Sequence, residues 1–179
     1  MRAIVFGFML LAAFGLVLSI LAHIAALMGV LIPGGKLVWA LHIGIFVVWL
    51  PAVLVAGQVT RYANREDFWK LALAGCPGWM HRAFYVLFGY AILNFIVFLL
   101  VVGTQEEKTT GDAPPSVVRG FSGHWMVFYG GAFFLLYSRI NAPHLYQKRK
   151  CPRGHPVSPT DRFCPKCGYA FPDEPGSAE

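Results

Sequence analysis

Cys151, His155, Cys164 and Cys167 are the residues whose types and spacing state a chemistry. They fall within 17 residues and include three of the chain's four cysteines. Thiolate and imidazole are the ligands of a structural zinc site, which takes four of them in a tetrahedron. Cys164 and Cys167 form one half, with Pro165 and Gly168 shaping a turn that aims both sulfurs at one ion. Cys151 and His155 form the other half. Here the second ligand comes one residue later than in a paired-cysteine turn, and Gly154 gives the backbone the freedom this requires. Iron fits such a cage as well, but the imidazole favours zinc. Protein fills all four positions, so no place remains for an activating water and the site is expected to be structural rather than catalytic. Val157, Phe163, Tyr169 and Phe171 are the only apolar filling. So small a core cannot fold alone, and metal would supply on the order of 10 kcal/mol. The plainer alternative is a loose tail with free thiols.

The stretch Cys151-Pro-Arg-Gly-His155 to Phe163-Cys164-Pro-Lys-Cys167-Gly168 resembles the short zinc-ribbon modules at the ends of many prokaryotic proteins. In that family two Cys-Pro-x-x-Cys-Gly-like knuckles flank a short loop. The resemblance covers about 20 of the 179 residues, and His155 replaces a cysteine. It implies a docking role, with Arg153, Arg162 and Lys166 offered to protein, anionic lipid or nucleic acid; solvated charges beside an anionic membrane face are the bland reading.

The elements that must carry this module are greasy. The chain is 56% hydrophobic and 13% charged, against about 25% charged in soluble domains. Four apolar runs account for the deficit: Ala3 to Ile32, Leu37 to Val59, Ala83 to Val102 and Phe121 to Ile140. Each suits a membrane-spanning helix, and the first is twice the length of a signal-peptide core. The expected fold is therefore an all-α integral membrane protein of four transmembrane helices, a short interfacial helix and a C-terminal zinc ribbon. Residues 1–143 form the membrane domain, 144–150 a basic connector, 151–171 the ribbon and 172–179 a disordered tail. Pro33-Gly34-Gly35-Lys36 reads as the first turn and Pro51 as a kink in the second helix. The interfacial helix begins at Asn64 as N-cap and ends at Gly75-Cys76-Pro77-Gly78, with Trp69 and Trp79 as interfacial anchors. Ala22, Ala25, Ala26 and Gly29 make a small-residue stripe suited to close helix contact.

The net charge of +6 is not a nucleic-acid signature, because the basic residues cluster at the ends of the apolar runs. The loop between the second and third runs holds Arg61, Arg65, Lys70 and Arg82, whereas the next holds Lys108 and Arg119 against three acids. By the positive-inside rule both termini face the cytoplasm. A thiolate site belongs in the same reducing compartment. The expected location is a prokaryotic cytoplasmic membrane.

Inside the runs, His23, His42 and His124 are costly enough to count as functional candidates. Imidazoles on two facing helices can hold a haem iron or another metal. The bland reading is that each bonds a neighbouring helix or sits at headgroup level. Arg119, Ser122, His124 and Trp125 suggest a polar cluster at the outer surface, and Asn94 suggests inter-helix glue. No span carries Asp, Glu, Lys or Arg at mid-depth, which argues against an ion-coupled transporter. No histidine-paired nucleophile, phosphate loop or carboxylate pair stands out either. The leading expectation is a non-enzymatic accessory or scaffold subunit of a larger membrane complex, in contact with lipid and other subunits, with no nucleic acid and no identified small-molecule substrate. A histidine-ligated haem or pigment protein is the first alternative, and a small-solute channel or carrier lined by Asn94 and the histidines the second.

Overall fold

The computed structural model describes residues 2–30, 32, 35–60, 65–102, 113–146, 149–157 and 161–171. Five α-helices dominate it: α1 (Arg2–Leu27), α2 (Trp39–Thr60), the short α3 (Phe68–Ala72), α4 (Gly78–Val102) and α5 (Pro115–Asn141). Two two-residue strands follow, β1 (Arg149–Lys150) and β2 (Pro156–Val157).

Three helical segments are long and apolar enough to cross a membrane: Arg2–Leu27, Lys36–Thr60 and Gly78–Leu100. The fourth expected span is not among them. Its helix, α5, contains Ser116, Arg119, Ser122, His124, Tyr129 and Ser138. Position explains that composition. α5 packs against α1, α2 and α4, and its buried residues run from Val118 to Ser138 around most of its circumference. A helix wrapped by protein can carry polar groups if neighbouring helices satisfy them. The greasiest helices form the outside, where Leu10, Phe14, Phe46, Leu50, Leu93 and Leu100 are all exposed.

Small residues let the helices close on α5. The inward stripe of α1 is Ala12, Gly15, Ser19, Ala22 and Ala26, all buried. It reaches further toward the N-terminus than the stripe expected from Ala22 to Gly29. The Tyr129 ring lies directly on Gly15, and a Cβ there would overlap it. The Tyr129 hydroxyl passes on to α2 and donates to Leu41 O at 2.8 Å.

Several boundaries differ from the expected ones for local reasons. α1 stops at Leu27, not Ile32. Gly29 sits at φ +69°, and Val30 N–H bonds Ala25 O while Gly29 N–H bonds Ala26 O. This pair of bonds is a Schellman stop, with glycine at the left-handed position. Gly29 therefore ends the helix instead of extending its packing stripe. The expected turn begins at Pro33-Gly34, which lies outside the described residues; Gly35–Val38 is a 3-10 turn leading into α2. Pro51 lies inside α2, which is continuous from Trp39 to Thr60. The proposed N-cap Asn64 is also outside the described residues, and the interfacial helix shrinks to a 3-10 turn (Arg65–Asp67) and five residues of α3. Trp69 does not stand free as an anchor: it packs on Phe84 with ring centroids 4.8 Å apart. Trp79 does stand out, 61% exposed. α4 starts at Gly78 and α5 at Pro115, so both helices absorb residues read as loop. Proline at the first helical position suits its missing N–H and fixed φ. The polar stretch 103–112 and the tail 172–179 lie outside the described residues.

Candidate metal centre and the buried histidines

The C-terminal module is built from two tight turns. In the first, Gly154 N–H bonds Cys151 O at 2.8 Å and Cys151 N–H bonds His155 O at 3.0 Å. In the second, Gly168 N–H bonds Cys164 O and Cys164 N–H bonds Tyr169 O, both at 2.8 Å. Gly154 and Gly168 adopt φ +81° and +70°, the left-handed region that glycine enters without a Cβ clash. β1 and β2 pair antiparallel, Arg149 opposite Val157 and Lys150 opposite Pro156. This ladder draws the last two residues of the basic connector into the module. A bridge between Phe163 and Ala170 closes the other side. Val157, Cys151 and Cys164 are buried, with Phe171 packed on them, and the Arg149 guanidinium covers the Phe171 ring at 4.0 Å.

These turns bring all four expected ligands together. One donor atom each from Cys151, His155, Cys164 and Cys167 lies within 4.8 Å of the others. Cys151 Sγ is 3.7 Å from Cys167 Sγ. His155 Nδ1 is 3.5 Å from Cys151 Sγ and 3.7 Å from Cys164 Sγ. Ligand bonds of about 2.3 Å to sulfur and about 2.05 Å to nitrogen give tetrahedron edges of about 3.8 Å and about 3.6 Å. The three separations match those edges and are far beyond a disulfide bond of about 2.05 Å. His155 presents Nδ1, the nitrogen nearer its backbone, which accommodates the one-residue-longer spacing. Burial pushes the Cys151 thiol up, but N–H groups of His155 and Arg153 outweigh it and hold the thiol below its ordinary value. Cys164 is likewise held low against burial, mainly by the Lys166 N–H. Backbone donors aimed at sulfur favour the thiolate that a metal requires. The group can hold a metal ion, and the donor set of three sulfurs and one imidazole nitrogen fits zinc.

The three histidines of the helical bundle go three separate ways. His23 is buried, with Nδ1 2.7 Å from Ser122 Oγ and Nε2 2.5 Å from the Tyr90 hydroxyl. Ser122 donates its one proton to Arg119 O at 3.1 Å, and Asn94 Nδ2 donates to the same oxygen at 2.8 Å. One assignment satisfies the chain: Tyr90 O–H donates to Nε2, and Nδ1–H donates to Ser122. Both ring nitrogens of His23 thus take part in hydrogen bonds. His42 takes the opposite tautomer, since its Nδ1 accepts from Trp125 Nε1–H at 3.1 Å. Trp39, Phe121 and Trp125 surround it edge-on. His124 points at Phe95, ring centroids 4.7 Å apart, and its buried Nδ1 lacks a hydrogen-bond partner.

Of the expected outer cluster of Arg119, Ser122, His124 and Trp125, the last three point to different helices. Successive helical positions are about 100° apart, so Ser122 faces α1, Trp125 faces α2 and His124 faces α4. Asn94 does act as inter-helix glue. Tyr90, not among the expected site residues, is the partner of His23 Nε2. Its signal was its place one helical turn before Asn94, on the same face of α4. Cys76 is buried and donates to Phe134 O at 3.2 Å; burial pushes its thiol up to about 12. Among the described residues the C-terminal group is the only set of three or more metal-ligating side chains brought together. No protein family, no curated protein and no solved structure matches this chain.

Proposed function

We propose that the protein is a non-enzymatic integral membrane subunit, an accessory or scaffold of a larger membrane complex, carrying a structural zinc ribbon for docking. In this reading α5 is the fourth crossing. It contains 27 residues, about 40 Å at 1.5 Å per residue, enough for a hydrocarbon core of about 30 Å. Both termini face the cytoplasm in this reading, which the charge bias and the thiolates support. The observation that supports the reading is a four-ligand group able to hold a metal ion, joined to a helical bundle whose buried polar side chains largely bond from helix to helix. The polar side chains of His23, Ser122, Asn94 and Tyr129 are all committed to helix-to-helix bonds. Such an interior holds helices together.

Affinity purification of the full chain in mild detergent, with metal analysis of the product, tests this. Stoichiometric zinc and a co-purifying membrane partner lost on Cys164→Ser support it. A metal-free monomer with no partner sinks it. One observation favours a second reading, a haem- or pigment-binding protein: the buried, unbonded Nδ1 of His124. A visible absorption band that disappears on His124→Ala would select that reading, and a colourless protein would end it.

A further inference from the structure

The ribbon has an outer edge that its own fold does not use. Phe163 is 62% exposed although it anchors the bridge to Ala170. In an antiparallel bridge, directly opposed residues share a face and their neighbours take the other. Phe163 and Ala170 therefore face away from the side on which Cys164 turns inward, and Ala170 is exposed as well. Arg162 immediately precedes Phe163 and Lys166 follows it by three residues; both are exposed, and side chains of this length can carry their charges round to the rim of the Phe163 edge. Across the module Arg149, Lys150, Arg153, Arg162 and Lys166 face a single acid, Asp161. Three thiolates around a divalent ion add one negative charge, which leaves the module cationic.

Covalent geometry restricts where this edge can go. Seven residues separate Asn141, the end of α5, from Arg149, the start of β1. Fully extended, seven residues reach about 25 Å, and four of them form a 3-10 turn, Pro143–Tyr146, which shortens the reach. If α5 crosses the bilayer, the ribbon cannot leave the headgroup region by much more than its own width. An exposed phenylalanine flanked by cations, tethered at that height, is the composition of an interfacial anchor.

We propose that the ribbon lies on the membrane, Phe163 inserted at the headgroup level and Arg162 and Lys166 on anionic phospholipid. This rests on the reading of the helices as membrane-spanning and goes beyond it by naming the surface on which the module rests. The docking function then has a defined geometry: the Phe163 edge is occupied by lipid, and the opposite side is presented outward at fixed height.

The test uses the full chain in phosphatidylcholine vesicles, with and without phosphatidylglycerol. Phe163→p-trifluoromethylphenylalanine supplies a single fluorine signal, read against lipids spin-labelled near the headgroup. The expected result is strong broadening with phosphatidylglycerol that weakens at 1 M salt, where the Debye length falls to about 3 Å. R162E/K166E is expected to sharpen the line without changing metal content, which shows that the module remains folded. Protein that floats with the vesicles yet keeps a sharp line in both lipids overturns the inference and leaves the membrane reading standing. A line broadened only when a protein partner is added overturns it in favour of protein docking. Failure to float at all is failure of the membrane reading itself.

Discussion

His23 Nδ1 on α1 lies 2.7 Å from Ser122 Oγ on α5, and this bond fixes the direction of a chain running from Tyr90 through His23 and Ser122 to Arg119 O. The chain ends on a backbone carbonyl, which has no proton to give. It therefore works as a clamp on three helices, not as a conduit.

His23→Leu should weaken the bundle. Inter-helix hydrogen bonds in membranes contribute up to about 1–2 kcal/mol, and this change strands two partners. The expected loss is about 1–2 kcal/mol, read from the denaturation midpoint in detergent. Tyr90→Phe should cost less, since it removes only one end. Equal effects from both would mean that the Ser122 link contributes nothing.

Gly15 and Tyr129 mark a close approach of α1 and α5. Adding even a methyl at Gly15 puts it into the Tyr129 ring. Overpacking of this kind costs about 1–3 kcal/mol, so Gly15→Ala should destabilise within that range. Gly15→Ala combined with Tyr129→Leu should recover part of the loss, because the smaller side chain frees the space. A double variant no better than the sum of the singles would place the damage elsewhere.

The contrast between these buried contacts and the metal module shows what the sequence could convey. Four ligands in one short segment are legible because the spacing alone brings them together; local turns at Gly154 and Gly168 do the rest. The apolar runs are legible because a helix in lipid needs length and grease. Partner choice inside the bundle is not local. Ser122, His124 and Trp125 are near neighbours in sequence, and the helical rotation sends them to three different helices. Which histidine meets which hydroxyl depends on the relative rotation and height of α1, α4 and α5, and no single segment encodes that. The end of α1 shows the intermediate case: Gly29 stood in plain view, but its stop motif competed with an apolar run continuing to Ile32.

Cys76 should be a silent thiol. Burial pushes it up to about 12, whereas a free cysteine titrates near 8.5. At pH 8 its thiolate population falls by roughly three orders of magnitude, so maleimide labelling of the folded protein should be correspondingly slow. The linkage sign follows from the raised value: between about pH 9 and 12 the folded protein keeps a proton that the unfolded chain has lost. Stability from this group is intact below that window and declines through it. Cys76→Ala should flatten that part of the pH profile, and labelling at the rate of a free thiol would show that the thiol is not buried.

Loss of metal should unfold the C-terminal module and leave the helices intact, because the two have separate cores. The ribbon's own core is Val157 with Phe171 against it and the ligands themselves, too little to hold a fold without an ion. A chelator should therefore open residues 149–171 to proteolysis at Arg153 and Lys166 without lowering helical circular dichroism from α1, α2, α4 and α5. Cobalt in place of zinc should show the absorption of a tetrahedral thiolate site, with one ion per chain. His155→Cys tests the geometry most sharply. The Nδ1 of His155 sits 3.5 Å and 3.7 Å from the Cys151 and Cys164 sulfurs, and a thiolate there would supply a fourth soft ligand on a longer metal bond. His155→Cys should keep the ion, whereas His155→Ala should lose it readily. Losing a hydrogen-bond partner behind a ligand already costs roughly 10–100-fold in affinity, and losing the ligand itself should exceed that. Equal metal retention by His155→Ala and the unaltered protein would remove the imidazole from the cage and leave three sulfurs with an open fourth position.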